Sequence, residues 1–322
     1  MDRTEELVDA ADLDELVREV DRLCDRRDWD ELVRLRDLSR AALERGRQLW
    51  PIASHAEHRL ALEAPAAWAA RMLVPATGHL GLGPIAEVAA STHAWAELAP
   101  YAPPTPVAAI AAHERVVRGE DVDAASVPVA VLDLPLRLQA WEPSYPVATY
   151  TAHGVEAPRP PLPPLVPAAL SDPPARIDDD GARVLLDAVR HWSTDSNGRA
   201  EAVAVDGDAA AACAALGVPA LRLGALPATG ALALLAWAAA SGGAHGRRRG
   251  TARGRFDAWW TAATLCGLDT NTLDPDELGA ALDDLRWYWW DAAEPDTGWT
   301  LRLALEDPAD GIAWAVSAAD AV

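Results

Sequence analysis

The segment Val155–Arg176, VEAPRPPLPPLVPAALSDPPAR, holds eight prolines between Pro158 and Pro174. Proline fixes φ and removes a backbone donor, so the run reads as a polyproline-type linker or surface wrap that divides the chain. Several PxxP spacings occur in it, and a plain linker accounts for them without a recognition motif. With 322 residues, two domains are the expectation. The sequence therefore predicts a helical domain over 1–156, a proline-rich linker over 157–176 and an α+β domain over 177–322.

The first half has helical periodicity. Leu13, Leu16, Val17, Val20 and Leu23 fall on one helical face, and Trp29, Leu32 and Val33 begin a second helix after the turn DRRD. Both helices carry DELVR, at Asp14–Arg18 and Asp30–Arg34, and alanine-rich helices follow over Ser54–Leu73, Pro84–Leu98 and Pro106–Arg118. A helical bundle or repeat-like domain is expected, with no clean repeat period. Residues 125–150, broken by Pro128, Pro135, Pro143 and Pro146, resist assignment.

The second half changes pattern. Glu201–Val205 and Ala220–Gly224 read as strands around a small alanine-rich helix, Ala231–Ser241 and Thr251–Cys266 as helices, and Asp274-Pro275 as the start of another. Alternation in LRWYWWDA (Leu285–Ala292), WTLRLALE (Trp299–Glu306) and IAWAVS (Ile312–Ser317), separated by EPDTG and DPADG, predicts an antiparallel meander with one face on a core. The fold class is α+β.

Composition excludes several chemistries. All basic residues are arginine, so a Schiff-base lysine and a lysine-dependent phosphate loop are both absent. A net charge of -21 repels polyanions, which argues against nucleic acid and anionic lipid as partners. The N-terminal MDRTEELVDAADLDEL lacks the basic and apolar regions of a secretory signal, and the apolar run Ala225–Ala240 is too short to span a membrane. Cys24, Cys213 and Cys266 have no ligand or disulfide spacing. A cytoplasmic protein with no membrane partner, no metal and no cofactor is expected.

One basic stretch breaks the acidic pattern. SGGAHGRRRGTARGR, Ser241–Arg255, places five arginines and a histidine in fifteen residues. Arg247, Arg248 and Arg249 complement the C-terminal end of the preceding helix, but Arg253 and Arg255 oppose the dipole at the start of the next. Something negative is therefore expected nearby, either internal (Asp257, Asp283 or Asp284) or a bound anion held by glycine-exposed amides and guanidiniums. On the second alternative the ligand residues are Gly243, His245, Arg247, Arg248, Arg249, Arg253 and Arg255. His245 acts as an acid or base there only if a phosphorylated substrate binds.

Three other features weigh less. His55 and His58 sit three apart without a third metal ligand, and GLGPIA (Gly81–Ala86) matches GxGxxA formally but lacks a preceding strand and a following acidic residue. In LRWYWWDA, Trp287 and Trp289 share one face and Arg286, Tyr288 and Trp290 the other. Together with Arg302, that second face is a candidate protein-partner surface, unless the protein's own helices cover it.

The stretches LWPIASHAEHRLALEAP and SGGAHGRRRGTARGRFDAWW are similar to those of a family of uncharacterised actinobacterial proteins, over most of the chain. The resemblance implies a domain of unknown function and transfers no catalytic residues. With no catalytic motif, enzyme activity stays open. The leading expectation is a non-enzymatic protein-interaction module, and the alternative is a protein that binds a phosphate or nucleotide ligand at the Arg/Gly-rich loop 242–255.

Overall fold

The computed structural model describes residues 3–75, 81–170, 172–293 and 298–321. The turn EPDTG therefore lies outside the described residues except for Gly298. The chain forms two compact units, Met1–Arg137 with Val147–Ala157, and Leu138–Pro146 with Pro158–Val322.

The first unit contains helices α1 (Arg3–Ala10), α2 (Leu13–Arg26), α3 (Trp29–Ala41), α4 (Trp50–Glu63), α5 (Ala66–Ala69), α6 (Ile85–Thr92), α7 (Trp95–Leu98) and α8 (Pro106–Val116), and a small hairpin of β1 (Thr149–Tyr150) and β2 (Val155–Glu156). Helix α4 is buried on most sides, including Glu57, His58 and Arg59. Two of its polar side chains are satisfied within the unit: His58 Nε2 meets the Thr151 carbonyl at 2.8 Å, and Arg59 pairs with Asp21 and with Glu63. Burial lowers the His55 and His58 pKa values, which keeps both imidazoles neutral in this packing. Gly83 of GLGPIA has a packing role, because a Cβ there would overlap the Tyr150 ring. The Tyr150 hydroxyl in turn donates to buried Glu87 at 2.7 Å.

In the second unit the elements are β3 (Val166–Ala168), β4 (Arg176–Ile177), α9 (Asp180–Thr194), β5 (Arg199–Asp206), α10 (Ala209–Ala215), β6 (Leu221–Leu226), α11 (Ala228–Ala240), α12 (Thr251–Leu265), α13 (Pro275–Asp284), β7 (Arg286–Asp291), β8 (Trp299–Asp307) and β9 (Ile312–Asp320). The strands form one antiparallel sheet in the order β3-β6-β7-β8-β9-β5-β4. The architecture is α+β, and the chain ends in the expected meander.

Two features differ from the sequence reading. The proline-rich run supplies one edge strand, β3, where the missing N–H of Pro167 is tolerated, and its last residue, Arg176, begins the other, β4. The Trp289 indole donates to the Pro163 carbonyl at 2.8 Å and ties the run to the sheet. The meander also has a core on each face. Leu301, Leu303, Leu305 and Val316 share the face on which α9 and α11 pack, while Trp290, Ala304, Ala313 and Ala315 pack with α10 on the other. Small alanines at these positions let the short α10 lie close to the sheet.

Helix α11 is buried from Ala231 through Ala240, and α12 packs against it. The approach is closest at Gly254, where a Cβ would overlap the Ala236 carbonyl oxygen and crowd Ala240. Gly254→Ala must push the helices apart, and we expect it to lower unfolding free energy by about 1–3 kcal/mol in chemical denaturation.

Candidate functional site

The charges of the basic stretch separate into three environments. Arg255 points inward. Its Nε and Nη2 both donate to Glu142 at 2.7 Å, and the two side chains are 1% and 0% exposed. Glu142 also accepts from the Gln139 amide (2.9 Å), the Tyr145 hydroxyl (2.7 Å) and the Trp259 indole (2.9 Å). Burial pushes the Glu142 carboxyl up, but the Arg255 fork and the other donors outweigh it and hold the pKa below its ordinary value. Glu142 belongs to the stretch the sequence left unassigned. The anion expected near the start of α12 is therefore internal for Arg255, and it lies 113 residues away in sequence.

The loop itself closes on its own backbone. Gly242 and Gly246 touch so closely that a Cβ on either would overlap the other strand of the turn. The Arg249 amide donates to the Ala240 carbonyl at 2.7 Å, and its guanidinium to the Ala239 carbonyl at 3.0 Å, so Arg249 satisfies carbonyls left without a helical donor at the end of α11. The Ala244 amide is bonded to Asp320 (2.6 Å) and the His245 amide to Ser196 (3.0 Å). Arg248 donates to Thr251 at 3.0 Å. Arg247 and His245 are exposed at the loop surface. These amides already have protein acceptors, which leaves the loop a poor anion cradle.

Beside the loop, α9 and α12 enclose a groove with a cavity of about 230 Å³. Its walls include Asp187, Arg190 and His191 from α9, and Arg253, Phe256, Asp257 and Trp260 from α12, with Arg249 at one end. Spacings of three and four residues put Arg253, Phe256, Asp257 and Trp260 on one helix face. Arg253 lies over Phe256 at 5.1 Å from the ring centroid, and Phe256 stacks on Trp260 at 6.1 Å with a 27° interplanar angle. Asp257 serves two guanidiniums, Arg249 at 2.6 Å and Arg253 at 3.5 Å, which leaves that trio one positive charge in excess. Across the groove His191 bonds Asp195 at 2.9 Å, and that hydrogen bond, followed by one from Thr194, lowers the Asp195 pKa.

The model of a family described as of unknown function (DUF6183) matches residues 14–314. The chain belongs to that family. No curated protein and no solved structure matches it. The two stretches that suggested the family in the sequence fall on α4 and on the segment from the end of α11 through most of α12.

The partner face expected on this DUF6183 chain is divided by the fold. Trp290 is 1% exposed in the core under α10, with the Arg302 guanidinium 5.5 Å from its ring centroid. It is not available to a partner, because α10 covers it. Glu306 explains how α10 is held: it accepts from the Ala209 amide at 2.9 Å and pairs with exposed Arg286 at 3.1 Å. Arg286 and Tyr288 instead line a separate hollow of about 350 Å³ with Leu226, Pro227, Leu282 and Asp283. The α9–α12 groove was missed because α9 itself was not read from the sequence, although Val184, Leu185, Ala188, Val189 and Trp192 carry its helical spacing.

Removing one partner of the Glu142–Arg255 pair strands a buried charge. Arg255→Ala is expected to cost about 3–5 kcal/mol of unfolding free energy in denaturant titration. Glu142 has a folded pKa below its unfolded one, so its contribution is full at neutral pH and lost as pH falls through the depressed value. The stability gap between wild type and Glu142→Gln should therefore narrow progressively as pH falls below the ordinary glutamate range, as followed by unfolding at each pH.

Proposed function

We propose that this protein is a non-enzymatic interaction module that works in the cytoplasm and engages another protein through the face formed by α9 and α12. The observation that carries this reading is Trp260. It is 44% exposed, and among the described residues it is the one tryptophan left so open, stacked on Phe256 and edged by Arg253 beside a cavity. Exposed Trp with Arg is the composition of binding hot spots, and a tryptophan left in water is a cost that a partner relieves. Arg286 and Tyr288, at their own hollow, offer a second contact patch. Free Cys24, Cys213 and Cys266 fit a reducing compartment, and no helix among the described residues is long and apolar enough to cross a membrane.

The alternative, a phosphorylated small ligand at loop 242–255, has the exposed Arg247 and His245 in its favour. Against it stand the loop amides already bonded within the protein and a neighbouring cavity smaller than the roughly 300 Å³ or more usual for ligand sites.

Affinity capture from the native host with wild type and with the Phe256→Ala/Trp260→Ala variant tests the reading. The expected result is a specific partner retained by wild type and lost by a variant whose melting temperature is within about 2 °C of wild type. Equal recovery by both proteins, or no recovery by wild type, overturns it. Nucleotides and sugar phosphates that raise the melting temperature of wild type but not of an Arg247→Ala/Arg248→Ala/Arg249→Ala variant would instead support the ligand reading.

A further inference from the structure

The chemistry of the α9–α12 groove also specifies what kind of segment it takes. This rests on the reading of that face as a protein-binding surface. Two properties of the groove define the occupant. The first is an apolar patch: Phe256 and Trp260 from α12 and Val184 and Ala188 from α9 line a partly open cavity of about 230 Å³, the size of one bulky side chain and its stem. The second is the arrangement of charge. Arg190 and Arg253 stand on opposite helices, with side chains 62% and 44% exposed; Arg190 also meets Asp187 of its own helix at 3.5 Å, an exposed pair that a partner carboxylate must compete with. The carboxylate between Arg249 and Arg253 is shared, so the α12 side keeps a positive excess, and Arg247 adds an exposed cation on the adjoining loop.

Cations spread along a rim do not suit a compact phosphate, which is held best where donors converge on one point. They suit carboxylates spaced along a peptide, each meeting a different guanidinium while an apolar side chain between them is desolvated in the cavity. The guanidiniums of Arg190, Arg249 and Arg253 outnumber the carboxylates of Asp187 and Asp257 in the groove lining, so in a protein of net charge -21 this face keeps a local positive excess for an acidic segment. A second, equally acidic copy of the chain meets long-range repulsion instead.

We propose that the groove between α9 and α12 binds an acidic segment of a partner protein, with one bulky apolar side chain against Phe256 and Trp260 and flanking carboxylates on Arg190 and Arg253.

The test uses the full chain labelled with 5-fluorotryptophan, whose Trp260 resonance is assigned from Trp260→Phe. The probes are heptapeptides with a central leucine or glycine between glutamates, a central leucine between arginines, and inorganic phosphate and AMP. The glutamate–leucine peptide is expected to shift the Trp260 resonance saturably. The glycine version should bind about tenfold or more weakly, as expected for one lost leucine side chain. Raising salt to about 0.5 M should weaken binding several-fold. Arg253→Glu and, on the other helix, Arg190→Glu should each reduce it, with the melting temperature showing that both variants are folded.

No saturable shift with the glutamate–leucine peptide overturns the proposal. If the arginine–leucine peptide shifts Trp260 equally well, the acidic partner is overturned while the protein-binding face stands. A shift by phosphate or AMP that displaces the peptide overturns it in favour of a small anion. Concentration-dependent dimerisation in sedimentation that Trp260→Ala abolishes assigns the groove to a second copy and overturns it too.

Discussion

The second unit is organised around the buried pair of Glu142 and Arg255. Each charge would be costly in the interior by itself, and the bidentate contact, together with the Gln139, Tyr145 and Trp259 donors, offsets that desolvation. The pair fixes two things. It places residues 138–146, which have no regular secondary structure of their own, against α12, with Trp141 on Trp259 at 4.9 Å. It also sets the rotation of α12, so that the opposite face carries Arg253, Phe256, Asp257 and Trp260 outward. A helix turned by one residue would bury a different set.

The α11–α12 contact then dictates the loop. Because Gly254 lets the helices approach closely, the connection between them must turn tightly, and Gly242 and Gly246 make that turn. The basic residues follow from this geometry as much as from any ligand. Arg249 completes the end of α11 and shares Asp257 with Arg253, while Arg255 is spent in the core. What looks in sequence like one cationic site is three separate electrostatic tasks, with only part of it facing solvent.

Tryptophan carries much of the bulky packing in a chain with a single phenylalanine. Trp192, Trp237 and Trp299 form a cluster beneath the Arg159 guanidinium, with the Trp192 indole bonded to Ser241 at 2.9 Å. Trp287, Trp289 and Trp314 each donate to a carbonyl or carboxylate at the margin of the sheet. These indole N–H groups find partners, as large amphipathic side chains favour when buried, while those of Trp141 and Trp290 are buried without one. Against that pattern Trp260 stands out: the same helix that buries Trp259 leaves its neighbour in water, beside a groove already edged with guanidiniums.

The sequence by itself determined the elements whose physics is local. The helical spacing of α2 and α3, the Asp274-Pro275 start of α13 and the alternation of β7, β8 and β9 all appear in the structure, because each depends on residues within a few positions. The division of the tryptophans of β7 between two faces was legible for the same reason. Tertiary structure decided the rest. That both faces of the sheet are covered depends on where α10 lands, and this buries Trp290; a period of two cannot say which face meets solvent. The proline run became a sheet edge at β3, and its end led into the other at β4, because strands β6 and β5 offered partners there. The carboxylate for Arg255 came from Glu142, far along the chain, since Coulomb attraction and hydrogen bonding act through space and leave no periodic trace in sequence. The α9–α12 groove exists only once two separate helices pack, so its apolar floor and its spaced cations became visible as one surface only in the folded chain.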